Sequence, residues 1–454
     1  MRGSVLPSRL AALLGFLIAL PVWAQTPPTT MRMGPDSSAR MSMGMRTPDP
    51  LGVTMERMGS GTTWVPDAAP IPAYNGNAGS WDLTGHGFVF GQYDHQSGTR
   101  GSNQFGSLDW IMLMATHTLA GGRFQARTML SLDAVGVGAR GYPLLLQSGE
   151  TYRGQPLHDL QHPHDMLMEL GALYERPITS SAGVLLYVAP SGEPALGPVA
   201  FMHRPSAMDI PSAPIGHHWQ DATHITFGVV TAGLFGNRWR LEASAFNGRE
   251  PDEHRFNLEP IRLDSYSGRV TVQPDSHWSV EAGYGFVHSP EPLEPNRSQH
   301  RITASVLHGK TLGSSGQWAS SLIYGENIDM PSGRRARSGL AETEAVLDQR
   351  NTLFARAEVV EKTAEDLVLD GTPSGFAADR SFTVGALSLG GVREVGRAFG
   401  STLGVGAMGT MNLVPNALLP AYGSRTPLGA MLFVRLRASG SRKFADPMAG
   451  MKMN

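Results

Sequence analysis

Histidine is unevenly spread along this chain. Seven of the fifteen histidines fall between residues 158 and 224: His158, His162, His164, His203, His217, His218 and His224. Imidazole nitrogen is a ligand for zinc, copper, iron and nickel, so a concentration of this kind points first to metal binding. Acidic neighbours Asp159, Asp165, Asp209 and Asp221 accompany it. A carboxylate that accepts a proton from one ring nitrogen fixes the tautomer in which the other nitrogen is free to ligate. The phrase His158-Asp-Leu-Gln-His162-Pro-His164-Asp165 sets two imidazoles one residue apart across a proline. It matches no established zinc spacing. The predicted ligand set is therefore His158, His162, His164, Asp165, His203, His217, His218 and His224. Its competitor is a set of polar plug residues that hydrogen-bond a surrounding wall. Methionine is the second concentration, with Met31, Met33, Met41, Met43, Met45, Met55 and Met58 near the start and Met448, Met451 and Met453 at the end. Ten of the 22 methionines thus sit in two stretches that lack apolar partners. A thioether is a soft ligand suited to Cu(I), and it needs no deprotonation. Copper ions are accordingly the predicted bound species, and a compositionally biased linker is the alternative.

Other chemistries find less footing. With no cysteine, disulfides and thiolate sites are excluded. No G-x-S-x-G elbow occurs. Gly309-Lys310-Thr311 has the end of a phosphate loop, but Ala304 stands where its first glycine is required. The chain is not predicted to be an enzyme, and an outer-membrane hydrolase of the Ser/His type is the weakest of the readings. A net charge of −2 leaves no basic footprint for nucleic acid.

The elements that must position these residues follow from export and from solvent. Arg2 and Arg9 precede the apolar run Leu10 to Leu20, and Val22-Trp23-Ala24 resembles a signal-peptidase site, so residues 1–24 read as a signal peptide. Beyond it no apolar stretch of about 18 residues occurs, and no helix is predicted to span a bilayer. A membrane form must then be a closed barrel, which satisfies every backbone N–H and C=O within the sheet. From residue 81 onward the sequence divides into segments of about ten residues with period-two alternation. In one of them Trp278, Val280, Ala282 and Tyr284 oppose Ser279, Glu281, Gly283 and Gly285. Trp239, Trp278, Trp318, Tyr284 and Tyr324 sit near segment ends, as girdle residues at a lipid interface do.

This predicts an all-β fold, a transmembrane antiparallel up-and-down barrel of about 16 strands over residues 81–438. Strands are expected near 123–135 and 398–410, among others. Short turns are expected at Ala120-Gly121-Gly122, Gly236-Asn237 and Arg393 to Arg397. Arg238, Arg240, Arg269, Arg301, Arg356, Arg435 and Arg437 are expected to face inward with Glu242, Glu281 and Glu358. Residues 25–80 are expected to form a disordered Met/Pro/Gly-rich periplasmic segment, and 439–454 a Met-rich tail. The His-rich connections 136–165 and 191–221 are long enough to fold inward as a plug. An even strand count puts both termini in the periplasm and the barrel in contact with outer-membrane lipid.

The stretch FMHRPSAMDIPSAPIGHHWQDATHITFGVVTAGL from Phe201, followed by EASAFNGREPDE, resembles a widespread group of uncharacterised bacterial outer-membrane proteins. A Met-rich segment ahead of a barrel is also similar in organisation to the copper-resistance outer-membrane protein B family. That resemblance implies copper sequestration or export, with periplasmic metal-efflux components as partners. The leading expectation is a barrel that binds or passes soft metal ions, and the alternative is a porin-like channel for small polar solutes.

Overall fold

The computed structural model describes residues 46–438 apart from 314–315, 349 and 372. In chain order its strands are β1 (Tyr74–Ala78), β2 (Trp81–Gln96), β3 (Asn103–Leu119), β4 (Gly122–Leu130), β5 (Tyr142–Tyr152), β6 (Gln155–Gln161) and β7 (Leu167–Pro177). Then come β8 (Gly183–Gly192), β9 (Thr226–Phe235), β10 (Trp239–Phe246), β11 (Ser265–Val272), β12 (Trp278–Val287) and β13 (Ser298–Leu312). The last six are β14 (Gly316–Met330), β15 (Arg335–Val346), β16 (Asn351–Thr363), β17 (Ser381–Ala398), β18 (Ser401–Leu413) and β19 (Leu428–Arg437). Sixteen of them, β2 to β4 and β7 to β19, pair antiparallel with their neighbours in sequence. The pairing of β19 with β2 closes the barrel. Closure leaves no edge, so every strand can cross hydrocarbon with its ladder complete. β1 folds back on β2, while β5 and β6 form a separate hairpin.

The residue alternation explains which face is which. Along β12 the even-numbered Trp278, Val280, Ala282 and Tyr284 are exposed, while Ser279, Glu281 and Gly283 are buried. β10 and β11 repeat this, with Leu241, Tyr266 and Val270 outside and Arg240, Glu242 and Arg269 inside. Apolar side chains outward and charges inward is the reverse of a water-soluble β-protein, and it fits a sheet whose outer solvent is lipid. Trp81, Trp239, Trp278 and Trp318 lie at the strand ends nearest the short turns and form one girdle. Tyr266 stacks on Phe286 at the opposite ends, 5.5 Å between ring centres.

Turn chemistry fixes the pairing at the short-turn end. Ala120 and Gly121 both have positive φ (46° and 77°), the two-residue form that matches strand twist. Phe399 and Gly400 repeat it between β17 and β18 (53° and 76°). That location corrects the turn expected at Arg393 to Arg397. The strand runs on through a bulge between Glu394 and Gly396, because Glu394 is drawn inward to Arg435 and Arg437. The strand expected over 123–135 stops at Leu130 and gives way to a helical turn, Asp133–Gly136. Arg238 is exposed beside the Pro274 carbonyl instead of facing inward.

A barrel of this size would hold water if it were empty. Three segments fill it instead. Residues 47–73, read from the sequence as part of a segment outside the barrel, run through the lumen with Trp64 and Val65 buried. The carbonyls of Val53, Gly61 and Thr62 accept from the wall arginines Arg123 (2.8 Å), Arg127 (2.6 Å) and Arg240 (2.6 Å). Those bonds satisfy a backbone that has no sheet of its own. The connection 131–166, which includes the β5–β6 hairpin, and the connection 193–225 fill the other end. Both fold inward as expected.

Candidate metal centre

Five of the predicted histidines converge at the end of the lumen that carries the long connections. His162 and His164 follow β6, His217 and His218 open the helical turn His217–Gln220, and His224 lies in the turn Ala222–His224. Ring centres are 5.4 Å apart for His162 and His218, 5.0 Å for His217 and His218, and 5.0 Å for His217 and His224. His164 adjoins His224 at 5.4 Å. All five are buried or nearly so, around a cavity of about 10 Å³, room for one water-sized sphere.

Each ring is held by its Nδ1. His217 Nδ1 lies 2.6 Å from Asp221 Oδ1, His164 Nδ1 2.7 Å from Asp133 Oδ2, and His218 Nδ1 3.1 Å from Glu250 Oε2. His162 Nδ1 is 3.2 Å from Glu150 Oε1, and His224 Nδ1 is 2.7 Å from the Asp221 carbonyl. An acceptor at Nδ1 assigns the ring proton there, so Nε2 presents its lone pair. The Nε2 atoms of His162, His164, His218 and His224 are buried with no hydrogen-bond partner. Burial drives the His162, His217 and His224 pKa values down, that of His224 to about 3, which keeps these rings neutral. Against its own desolvation, Asp221 is held below the usual carboxylate range by the adjacent His217 and by Arg204. His162, His217 and His218 each offer a ligand atom within 4.8 Å of the others, and His218, Glu250 and Glu291 form a second such set.

The remaining predicted ligands lie apart from this centre or only line it. Asp165 lines the cavity but is engaged by Arg255 at 3.2 Å. His158 sits on the outward face of β6 beside Arg100 and Asp159, with 41% of its side chain exposed. His158 Nδ1 is taken up by Asp159 Oδ2 at 2.9 Å, away from the cluster. His203 packs on Trp110 (4.2 Å) and His86 (5.5 Å) instead. Met31, Met33, Met41, Met43, Met45, Met448, Met451 and Met453 lie outside the described residues. Sequence reasoning missed Asp133 and Glu150, which share the 131–166 connection with His162 and His164, and Glu250, Arg255 and Glu291, which come from the connections after β10 and β12. One local signal for the contact existed in Gly149, where a Cβ would stand 2.5 Å from the His218 ring.

No protein-family model and no curated protein sequence matches the chain. Among solved structures, OmpF of Salmonella typhi, in complex with daunomycin, aligns over 80% of this chain and 100% of its own at 8% identity and a TM-score of 0.50. The anion-selective porin of Comamonas acidovorans aligns over 79% and 99% at 11% identity and 0.47. The outer-membrane channel DcaP of Acinetobacter baumannii aligns over 80% and 98% at 8% identity and 0.43. The fold is that of a Gram-negative outer-membrane β-barrel, which is as far as likeness at this identity reaches.

Proposed function

We propose that this chain is a gated outer-membrane channel for small polar solutes, not an enzyme, held closed here by its own lumenal segments. The observation that carries the reading is the seam between plug and wall. Beside the apolar packing of Phe201, Met208 and Ile210 near Phe90 and Trp110, ion pairs cross it: Arg204 of the 193–225 connection meets Glu342 of β15 at 2.6 Å, and Asp209 contacts Arg435 and Arg437 of β19. Where these pairs part, both partners are charged and water solvates them, which lowers the cost of moving the segment that carries Arg204 and Asp209. Long connections outside and short turns with both termini on the periplasmic side is the orientation such barrels adopt.

Copper(I) handling, the leading expectation from the methionine tracts, draws less support. Among the described residues no methionine lines the histidine cavity. Its donors are imidazole and carboxylate, which suit divalent ions better than Cu(I). Liposome swelling tests the channel reading. Vesicles holding the native chain should stay impermeable to arabinose, and those holding an Arg204→Met, Asp209→Asn variant should leak it. Sealed vesicles containing a variant whose plug is demonstrably loosened would overturn the reading.

A further inference from the structure

We propose that His162, His217 and His218 bind one divalent transition ion of the zinc and cobalt class through Nε2. Glu150, Asp221 and Glu250 orient the three rings. The inference goes beyond the channel reading and does not depend on whether the barrel conducts.

The case begins with what the cluster lacks. The rings line a space of about one water, and no protein donor reaches the buried Nε2 atoms of His162 and His218. A buried polar atom left unpaired is destabilising, so a sequence that gathers several of them must recover the loss elsewhere. Protonating the rings would supply donors, but burial opposes adding cations here. An ion of charge +2 held by His162, His217 and His218 takes up the lone pairs of His162 and His218 together. The surrounding charge is ready for it: Asp133, Glu150, Asp165, Asp221, Glu250 and Glu291 stand against Arg204, Arg255 and Arg301. Acidic groups thus outnumber guanidinium groups around the cluster. The guanidinium groups are already engaged: Arg255, which lines the cavity, by Glu150 and Asp165, Arg301 by Glu250, and Arg204 by Asp221 and Glu342.

A carboxylate on Nδ1 with Nε2 turned inward is the outer-shell pattern that raises imidazole basicity toward a metal. Nitrogens around one tetrahedral zinc lie about 3.3 Å apart, from Zn–N distances of about 2.0–2.1 Å. Ligand atoms already within 4.8 Å reach that geometry by shifts of roughly an ångström. Glu291, which shares a ligand set with His218 and Glu250, lies on the connection after β12 and gives the site an acidic approach from the long-connection end.

The test uses the full chain refolded in detergent and Co(II), whose visible spectrum reports tetrahedral nitrogen ligation and which has little affinity for the thioethers of the methionine tracts. One Co(II) per chain is expected, displaced by Zn(II), with X-ray absorption of the zinc form showing about three nitrogen neighbours near 2.0–2.1 Å. His218→Ala should lower affinity at least a hundredfold, Glu150→Gln roughly tenfold or more, and His158→Ala should leave it unchanged. Heat-modifiable migration on gels checks that each variant is folded. The X-ray absorption measurement on the native chain stands even if a variant fails that check. Absence of Co(II) binding by the native chain, a zinc shell without imidazole, or equal affinity in folded His218→Ala would each overturn the assignment.

Discussion

Arg204→Met probes the plug at its most enclosed ion pair. The Arg204 guanidinium is buried and donates to the Val199 carbonyl at 3.0 Å, to Asp221 Oδ2 at 2.9 Å and to Glu342 Oε1 at 2.6 Å. Methionine fills a similar volume but leaves two carboxylates without their shared cation. Breaking a buried pair costs about 3–5 kcal/mol. The lower end applies here, because Asp221 keeps His217 at 2.6 Å and Glu342 keeps Arg356 at 3.1 Å. About 3 kcal/mol corresponds to a roughly hundredfold rise in the open population of the 193–225 segment. Hydrogen exchange reads this directly: amides of residues 199–221 should exchange about a hundredfold faster in the variant, and those of β12 at the native rate. Adding Glu342→Gln should cost less than the sum of the two single changes, since they share a contact. Exchange within about threefold of native throughout the segment would refute the idea that this pair anchors the plug.

Further outcomes follow from the same geometry. Leu432→Arg, at the centre of β19 on the exposed face, should cost about 2–4 kcal/mol in refolding titrations with lipid vesicles. Gly149→Ala should destabilise by about 1–3 kcal/mol in thermal melts, because its Cβ would stand 2.5 Å from the His218 ring at a backbone φ of +110°. Glu193 is buried, and burial pushes its pKa from 4.5 up to about 8. Its folded value lies above its unfolded one, so its contribution is complete below pH 4.5 and is lost as pH rises through 8. Hydrogen-exchange protection near Glu193 should fall across that interval, and Glu193→Gln should flatten the dependence.

The wall was legible in the residues themselves, because a strand with lipid on one side and charge on the other writes its face into every second position. Trp278, Ser279, Val280 and Glu281 show the pattern, and the structure places each on the side it implies. The exceptions have local causes. Arg393, Glu394 and Arg397 look like turn residues, yet the bulge turns Glu394 inward to two arginines. The 47–73 segment, rich in Pro and Gly, gives no periodic signal, since its backbone is satisfied by arginines from distant strands. At the candidate centre the imidazoles were visible as a local concentration, whereas Glu150 and Glu250 were not. Glu150 is brought to His162 only by the fold of the β5–β6 hairpin, Glu250 lies in another connection, and no local rule says which connections meet inside a lumen. His158 was included because spacing alone cannot tell the two faces of the short strand β6 apart.

The account rests most heavily on which solvent each face of a strand meets. The chain has no cysteine, so single cysteines placed along β12 and labelled with an environment-sensitive fluorophore report on one site at a time. In vesicles, labels at 278, 280, 282 and 284 should be quenched by nitroxide lipids and ignored by aqueous iodide, while labels at 279, 281 and 283 should escape the lipid quencher. Loss of that alternation, or iodide quenching of the even positions, would contradict the barrel's place in a bilayer.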